Sequence, residues 1–229
     1  MIVKKYKAEV LSIDNSIPGI YTLTMASTKG RFKYLVGHFL HIAIDDDYDG
    51  CGQWPESRCF SLQSSPTEEY AKITYAVKGD FTRQMENTLK VGSEVWLKLP
   101  YGELFEQEHN ILHTVFISGG TGITPYLSLF TDSCFKNYQK PILYAGFRSS
   151  IFNLYNKELE VAVSINPNLV IKLIYEDVEG ILDIDKIYAE NGNDASYFIS
   201  GPPVMIKLFK QRILTKGVLS TNILTDDWE

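Results

Sequence analysis

Two neighbouring stretches carry residues whose types and spacing could do chemistry. Residues 58–65, RCFSLQSS, set one cation, one aromatic ring and several hydroxyls in a short run. Arg58 can fork onto a phosphate, Phe60 can lie on an aromatic ring, and Ser61 can donate to a ring nitrogen. Just upstream, Asp45, Asp47, Asp49, Gly50 and Glu56 fit D-x-D-x-D-G-x5-E, the spacing of a calcium loop. A third stretch, VKGDFTRQM at 77–85, sets Gly79 and Thr82 at the start of a run in which Phe81, Met85 and Leu89 recur at helical spacing. The N-terminus of such a helix suits a diphosphate.

The second half offers two glycine turns. In FISGGTGITPYLSLF, 116–130, a buried-strand run leads into Gly119, Gly120 and Gly122, and a helix opens with Thr124 as N-cap and Pro125 at its first position. Glycines there let backbone approach a ligand closely. The spacing is not G-x-G-x-x-G, so on turn chemistry alone a structural turn serves as well as a phosphate site. In YFISGPPVM, 197–205, a strand again ends in Gly201, with Pro202 and Pro203 opening a helix. By itself Gly-Pro-Pro is a strand-to-helix turn.

The elements that must hold these residues differ between the halves. As far as about Phe105, short alternating runs such as KKYKAEVLSI, IYTLTMA, FLHIAI, KITYAVKG and SEVWLKLP predict an antiparallel barrel of about six strands, with one short helix over FTRQMENTLK. From about His113, strands alternate with helical segments, which predicts a doubly wound parallel sheet with helices on both faces. The polar FEQEHN is the expected boundary, dividing the chain into 1–107 and 108–229.

Bulk properties narrow the function. The 229 residues carry a net charge of −6 and no basic cluster, which argues against a nucleic-acid partner. No segment approaches the roughly 20 apolar residues of a membrane helix, and the alternating N-terminus lacks the apolar core of a signal peptide. The three cysteines, Cys51, Cys59 and Cys134, give no four-thiolate metal pattern and read as free thiols in a reducing cytoplasm.

Taken in series, R-x-F-S, G-x-x-T before a short helix, LPYGELF at 99–105, GGTGITP and G-P-P-x-M resemble the ferredoxin–NADP reductase family over essentially the whole chain. The resemblance implies a flavin-binding Greek-key β-barrel followed by an NAD(P)-binding α/β domain. It also implies FAD as cofactor and NADH or NADPH as electron donor. Arg58 would contact the flavin pyrophosphate, Phe60 would pack on the isoalloxazine with Cys59 beside it, and Ser61 would bond near N5, the hydride acceptor. Val77, Lys78, Gly79, Phe81 and Thr82 would complete the flavin diphosphate site, and Thr121 and Trp228 would also meet the flavin. Gly120, Thr121, Gly122 and Arg148 would take the nicotinamide nucleotide, whose reactive end Ser200, Gly201, Pro202 and Met205 would flank. Ser61 and Ser200 are the residues implied at the reacting atoms. Three departures stand out: Ser200 where the family commonly has Cys, Phe60 for the commoner Tyr, and His38 where many relatives carry Gln.

The function implied is hydride transfer from NAD(P)H to flavin N5, then electron delivery to a separate redox protein, since the C-x4-C-x2-C spacing of a fused ferredoxin is missing. The alternative enzyme is an NAD(P)H:flavin oxidoreductase that uses flavin as a loosely bound substrate. A non-catalytic nucleotide-sensing protein is the alternative from another class. For the donor, Arg148, Ser149 and Ser150 suit a 2′-phosphate, whereas Glu176, Asp177 and Glu179 suit ribose hydroxyls, a balance that leans to NADH.

The calcium spacing has the wrong setting. An EF-hand loop needs helices at both ends, and here FLHIAI and SRCFSL flank it. His109 and His113 lack a third ligand and read as a polar linker. The expected outcome of adding calcium is a melting temperature equal to that measured with a chelator.

Overall fold

Alternation drives the first half into strands. In β1 (Lys4–Ile17), Ala8 and Val10 turn inward while Glu9 and Leu11 face solvent, and β2 (Ile20–Ser27) buries Leu23 and Met25, the latter opposite Val10. β3 (Phe39–Ala43), β4 (Arg58–Ser61), β5 (Ala71–Ala76) and β6 (Glu94–Tyr101) complete one antiparallel sheet in the order β4-β3-β6-β1-β2-β5. The residues between 10 and 17 do not break the strand, although their turn-like composition suggests it. Register shifts between Val10 and Ser12 and between Asp14 and Ile17 absorb the irregularity as bulges, and the reversal comes only at Gly19. Inside the barrel, Leu40, Ile42, Leu62, Ile73, Val95 and Leu97 form the core.

The one helix of this half, α1 (Asp80–Thr88), seats Phe81 and Met85 in that core. Tyr21 ties it to β2 by donating to Glu86 Oε1 at 2.8 Å.

The computed structural model describes residues 1–226 and separates into two units, Met1–Glu103 and Leu104–Glu229. Phe105 packs 5.0 Å from the Phe198 ring of the second unit, so the division falls before the polar FEQEHN stretch. In that unit, β7 (Thr114–Gly119), β8 (Pro141–Phe147), β9 (Val170–Tyr175), β10 (Ser196–Ser200) and β11 (Ile223–Thr225) form a parallel sheet in the order β11-β10-β7-β8-β9. The central strands are buried on both faces, as a sheet sandwiched by helices requires. One face is aromatic: Phe116 meets Tyr126 and Phe130 of α2 (Thr124–Phe130), and α3 (Asn156–Ile165) packs beyond. The acidic run after β9 is a single helical turn, α4 (Glu176–Glu179). The other face joins Val115, Ile117 and Ile199 to Ile184 and Ile187 of α5 (Ile184–Asn191) and to Ile206, Phe209 and Ile213 of α6 (Pro203–Thr215).

The acidic segment 45–57 is pinned to the outer barrel face by rings. Trp96 Nε1 donates to the Tyr48 carbonyl at 2.8 Å, Trp54 lies edge-on to Tyr48, and Lys5 bonds the Tyr48 hydroxyl and the Gly50 carbonyl. Gly50 has φ +94, and a Cβ there would lie 2.4 Å from the Trp96 ring. Gly50→Ala is therefore expected to cost about 1–3 kcal/mol, read by urea unfolding.

Candidate functional site

In the first unit the fold brings the R-x-F-S strand to the N-terminus of α1. The Arg58 guanidinium stands 5.1 Å from the centre of the Phe81 ring, in the first turn of that helix. Alternation along β4 sends Arg58 and Phe60 to the side of their partners Ile42 and Leu40, and Cys59 and Ser61 to the side of His41 and Phe39. Phe60 packs 5.7 Å from Tyr75, which in turn stacks on Tyr21. The Tyr75 hydroxyl is buried without a partner, and the low-dielectric setting holds its pKa well above the ordinary phenol value.

The helix start differs in detail from expectation. Thr82 Oγ1 accepts from the N–H groups of Lys78 and Gly79 at 3.0 and 3.1 Å and donates to the Gly79 carbonyl, while Val77 N–H donates to the Gly19 carbonyl. These groups are spent on closing the turn. What the helix leaves open is its first N–H groups, at Asp80, Phe81 and Thr82, as every helix start does. Gly79 is extended, and a Cβ there would meet nothing within 4 Å.

Cys59 lies across from His41, its Sγ 3.4 Å from Nε2, and partial desolvation raises its thiol pKa. His41 is shifted down, first by burial and then by the Lys98 charge. His38 is buried, and its Nδ1 accepts from Leu35 N–H at 2.9 Å, closing the loop before β3.

In the second unit the two glycine turns meet at the carboxyl ends of β7 and β10, where Ser118 and Ser200 are neighbours in register. A Cβ on Gly122 would lie 2.5 Å from Gly201 Cα, and one on Gly119 would meet Met205 and Pro202 at 3.0 Å. Gly120, at φ +56, has open space instead. Thr124 is the first helical residue and not the cap: its hydroxyl donates to the Thr121 carbonyl at 2.9 Å. Ser200 donates to Asp226 Oδ2 at 3.1 Å, with both residues buried, and Ser118 Oγ is buried without a partner. Burial, then the charge of Asp226, push the Tyr126 phenol well up.

Arg148 is exposed after β8, and its carbonyl accepts from Asp177 N–H at 3.2 Å, which sets the acidic α4 turn against it. Trp228 lies outside the described residues. Asp226 is the residue the motifs miss, and Glu56 enters them only as the last position of the calcium spacing. Asp226 follows a short apolar run, and a carboxylate carried to a strand end needs a partner, a weak signal that could have drawn attention to it.

The remaining candidates separate. His109 bonds Gln107 O and Tyr138 Oη, each at 2.7 Å, while His113 bonds Asn191 Oδ1 at 3.1 Å. Among the described residues no group of three or more His, Cys, Asp or Glu could hold a metal.

Residues 116–211 match the family described as oxidoreductase NAD-binding domain. The chain is 25% identical to a component of the Na(+)-translocating NADH-quinone reductase of Haemophilus influenzae, covering 99% of this chain and 67% of the relative. It is 23% identical to a flavohemoprotein of Rhizobium meliloti, covering 74% of this chain and 47% of the relative. The chain thus spans about half to two thirds of the length of these curated relatives. Among solved structures it is similar to ferredoxin-NADP+ reductase from Plasmodium falciparum, with TM-score 0.76, 21% identity, and coverage of 98% and 96% of the two chains. A cytochrome P450 reductase from Amycolatopsis superposes with TM-score 0.81 at 16% identity, covering 98% of this chain and 70% of that one. The fold is therefore that of two-domain reductase-like structures. Over residues 116–211 the chain carries an oxidoreductase NAD-binding domain, and its fold is similar to that of ferredoxin-NADP+ reductase.

Gly122→Ala pushes backbone against backbone and is expected to cost about 1–3 kcal/mol in urea unfolding. Gly79→Ala, extended and open but at the helix N-cap, where glycine outranks alanine, is expected to change stability by no more than about 1 kcal/mol.

Proposed function

We propose that the protein is an FAD-dependent oxidoreductase that takes electrons from a nicotinamide nucleotide and passes them to a separate redox protein. The observation that carries this reading is the juxtaposition of Arg58 with the first turn of α1, in a chain whose other half is an oxidoreductase NAD-binding domain. Residues of the first unit fit a flavin diphosphate: a guanidinium, unused helix N–H groups, and the empty space beside Gly79. The orphaned Tyr75 hydroxyl next to Phe60 supports a polar aromatic occupant nearby.

A bound flavin would supply the hydride- and electron-transfer chemistry. This chain's residues bind and orient. Arg58 and the α1 N–H groups hold phosphate, and Phe60 offers a ring face. Ser61 offers a hydroxyl on the opposite side of β4 from Phe60, toward Phe39. In the second unit, Gly120 leaves room for a nucleotide diphosphate close to the backbone. Ser200, Gly201, Pro202 and Met205 flank the nicotinamide end, and Asp226 fixes the Ser200 hydroxyl by accepting its proton in a hydrogen bond.

The names of the relatives, a quinone-reductase component and a reductase component of propane 2-monooxygenase, support an acceptor outside this chain, of the oxygenase-component or small redox-protein kind. Glu176, Asp177 and Glu179 beside Arg148 favour NADH, because a 2′-phosphate would meet three carboxylates at one strand end. No described helix is long and apolar enough to cross a membrane, and the three unpaired thiols support a reducing, cytoplasmic setting. A second reading, with flavin as a loosely held substrate, is favoured by one contact: Glu56 already occupies Arg58.

The test is a visible absorption spectrum of desalted protein, repeated anaerobically with NADH and then NADPH. A flavin spectrum that NADH bleaches with the higher efficiency is the expected outcome. Colourless protein that turns over added flavin would select the second reading, and a retained flavin that neither nucleotide reduces would refute both.

A further inference from the structure

Arg58 is not a free cation. Its Nη2 donates to Glu56 Oε1 at 2.9 Å and its Nη1 to the Ser57 carbonyl at 2.9 Å, while the guanidinium stays over Phe81. Nor is Glu56 on a loose tether. Beside it, Trp54 Nε1 donates to Ser57 Oγ at 2.9 Å, the Trp54 ring lies against Tyr48, and Lys5 and Lys98 stand over that ring at 5.9 and 5.7 Å. The anchored acidic segment therefore delivers one carboxylate to the cation at the start of β4.

Both partners keep half or more of their side-chain surface in water, 51% for Arg58 and 70% for Glu56, so the pair adds little to folding. Its consequence is for binding. A carboxylate and a diphosphate require the same guanidinium, and an anion entering the start of α1 also meets Glu56 as a like charge. Building on the flavin reading above, we propose that Glu56 is an internal competitor for the phosphate site at Arg58. The flavin diphosphate binds by displacing the Glu56 carboxylate, and only the fraction of molecules with Arg58 released is competent. The apparent affinity falls by that fraction. Glu56 thereby tunes how firmly the flavin is retained, and it acts on the phosphate end of the ligand alone.

The experiment is a fluorescence titration of FAD and of riboflavin into wild type, Glu56→Gln and Glu56→Ala, repeated in an Arg58→Gln background. An exposed ion pair of this kind corresponds to a tightening of FAD of about two- to fivefold in both Glu56 variants. Riboflavin, which has no phosphate, is expected to bind unchanged, and the gain is expected to vanish when Arg58 is Gln. FAD affinity that is unchanged or weaker in the Glu56 variants overturns the competitor role, as does a gain of equal size for riboflavin or one that survives in Arg58→Gln. Wild-type protein that binds neither flavin sinks the flavin reading itself, and this inference with it.

Discussion

The second unit depends on a place where two stretches of bare backbone pass each other. β7 and β10 are parallel neighbours although some eighty residues of chain separate Ser118 from Ser200, and both strands must leave the sheet at the same end. Their exits fit only because Gly122 and Gly201 have no side chains, since a single Cβ on Gly122 would come within 2.5 Å of Gly201 Cα. From that crossing α2 departs into the aromatic face with Phe116, and α6 into the aliphatic face with Ile199. The second unit thus has its glycines at 119, 122 and 201 for a packing reason. Gly120, at φ +56 with open space around it, has no such packing reason.

The first unit holds a cation in a defined place. Arg58 sits at the end of a four-residue strand, and its position is fixed from three directions. β3 pairs with β4, the Phe81 ring lies beneath the guanidinium, and the acidic segment closes from outside. The aromatic clamp of Tyr48, Trp54 and Trp96 gives that segment a defined shape. A spacing that imitates a calcium loop is here a side wall, whose last carboxylate turns toward the arginine.

Much of this was legible. Glycine and proline punctuation, alternating runs and five short motifs in series marked out two halves of opposite texture and the fold they adopt. The details that escaped share one cause. Thr82 and Thr124 looked like groups available to a ligand or a cap, yet each spends its hydroxyl on a carbonyl three residues back. His38, which stands out only as a departure from the family pattern, is a buried prop for its own loop. In each case the residue type was right for two roles, and only local backbone geometry chose between them.

The sequence by itself determined what depends on near neighbours along the chain. Strand or helix, the inward face of each strand and the turns that need glycine all follow from residue type at spacings of two to four, because propensity and amphipathic period act over that range. Tertiary structure decided which distant groups meet. Arg58 finds Phe81 and Glu56, Ser200 finds Asp226, and His109 and His113 part company, through strand order and register that no local window contains. The energies behind those meetings are short-ranged in space but not in sequence, so the chain had to fold before they could be read.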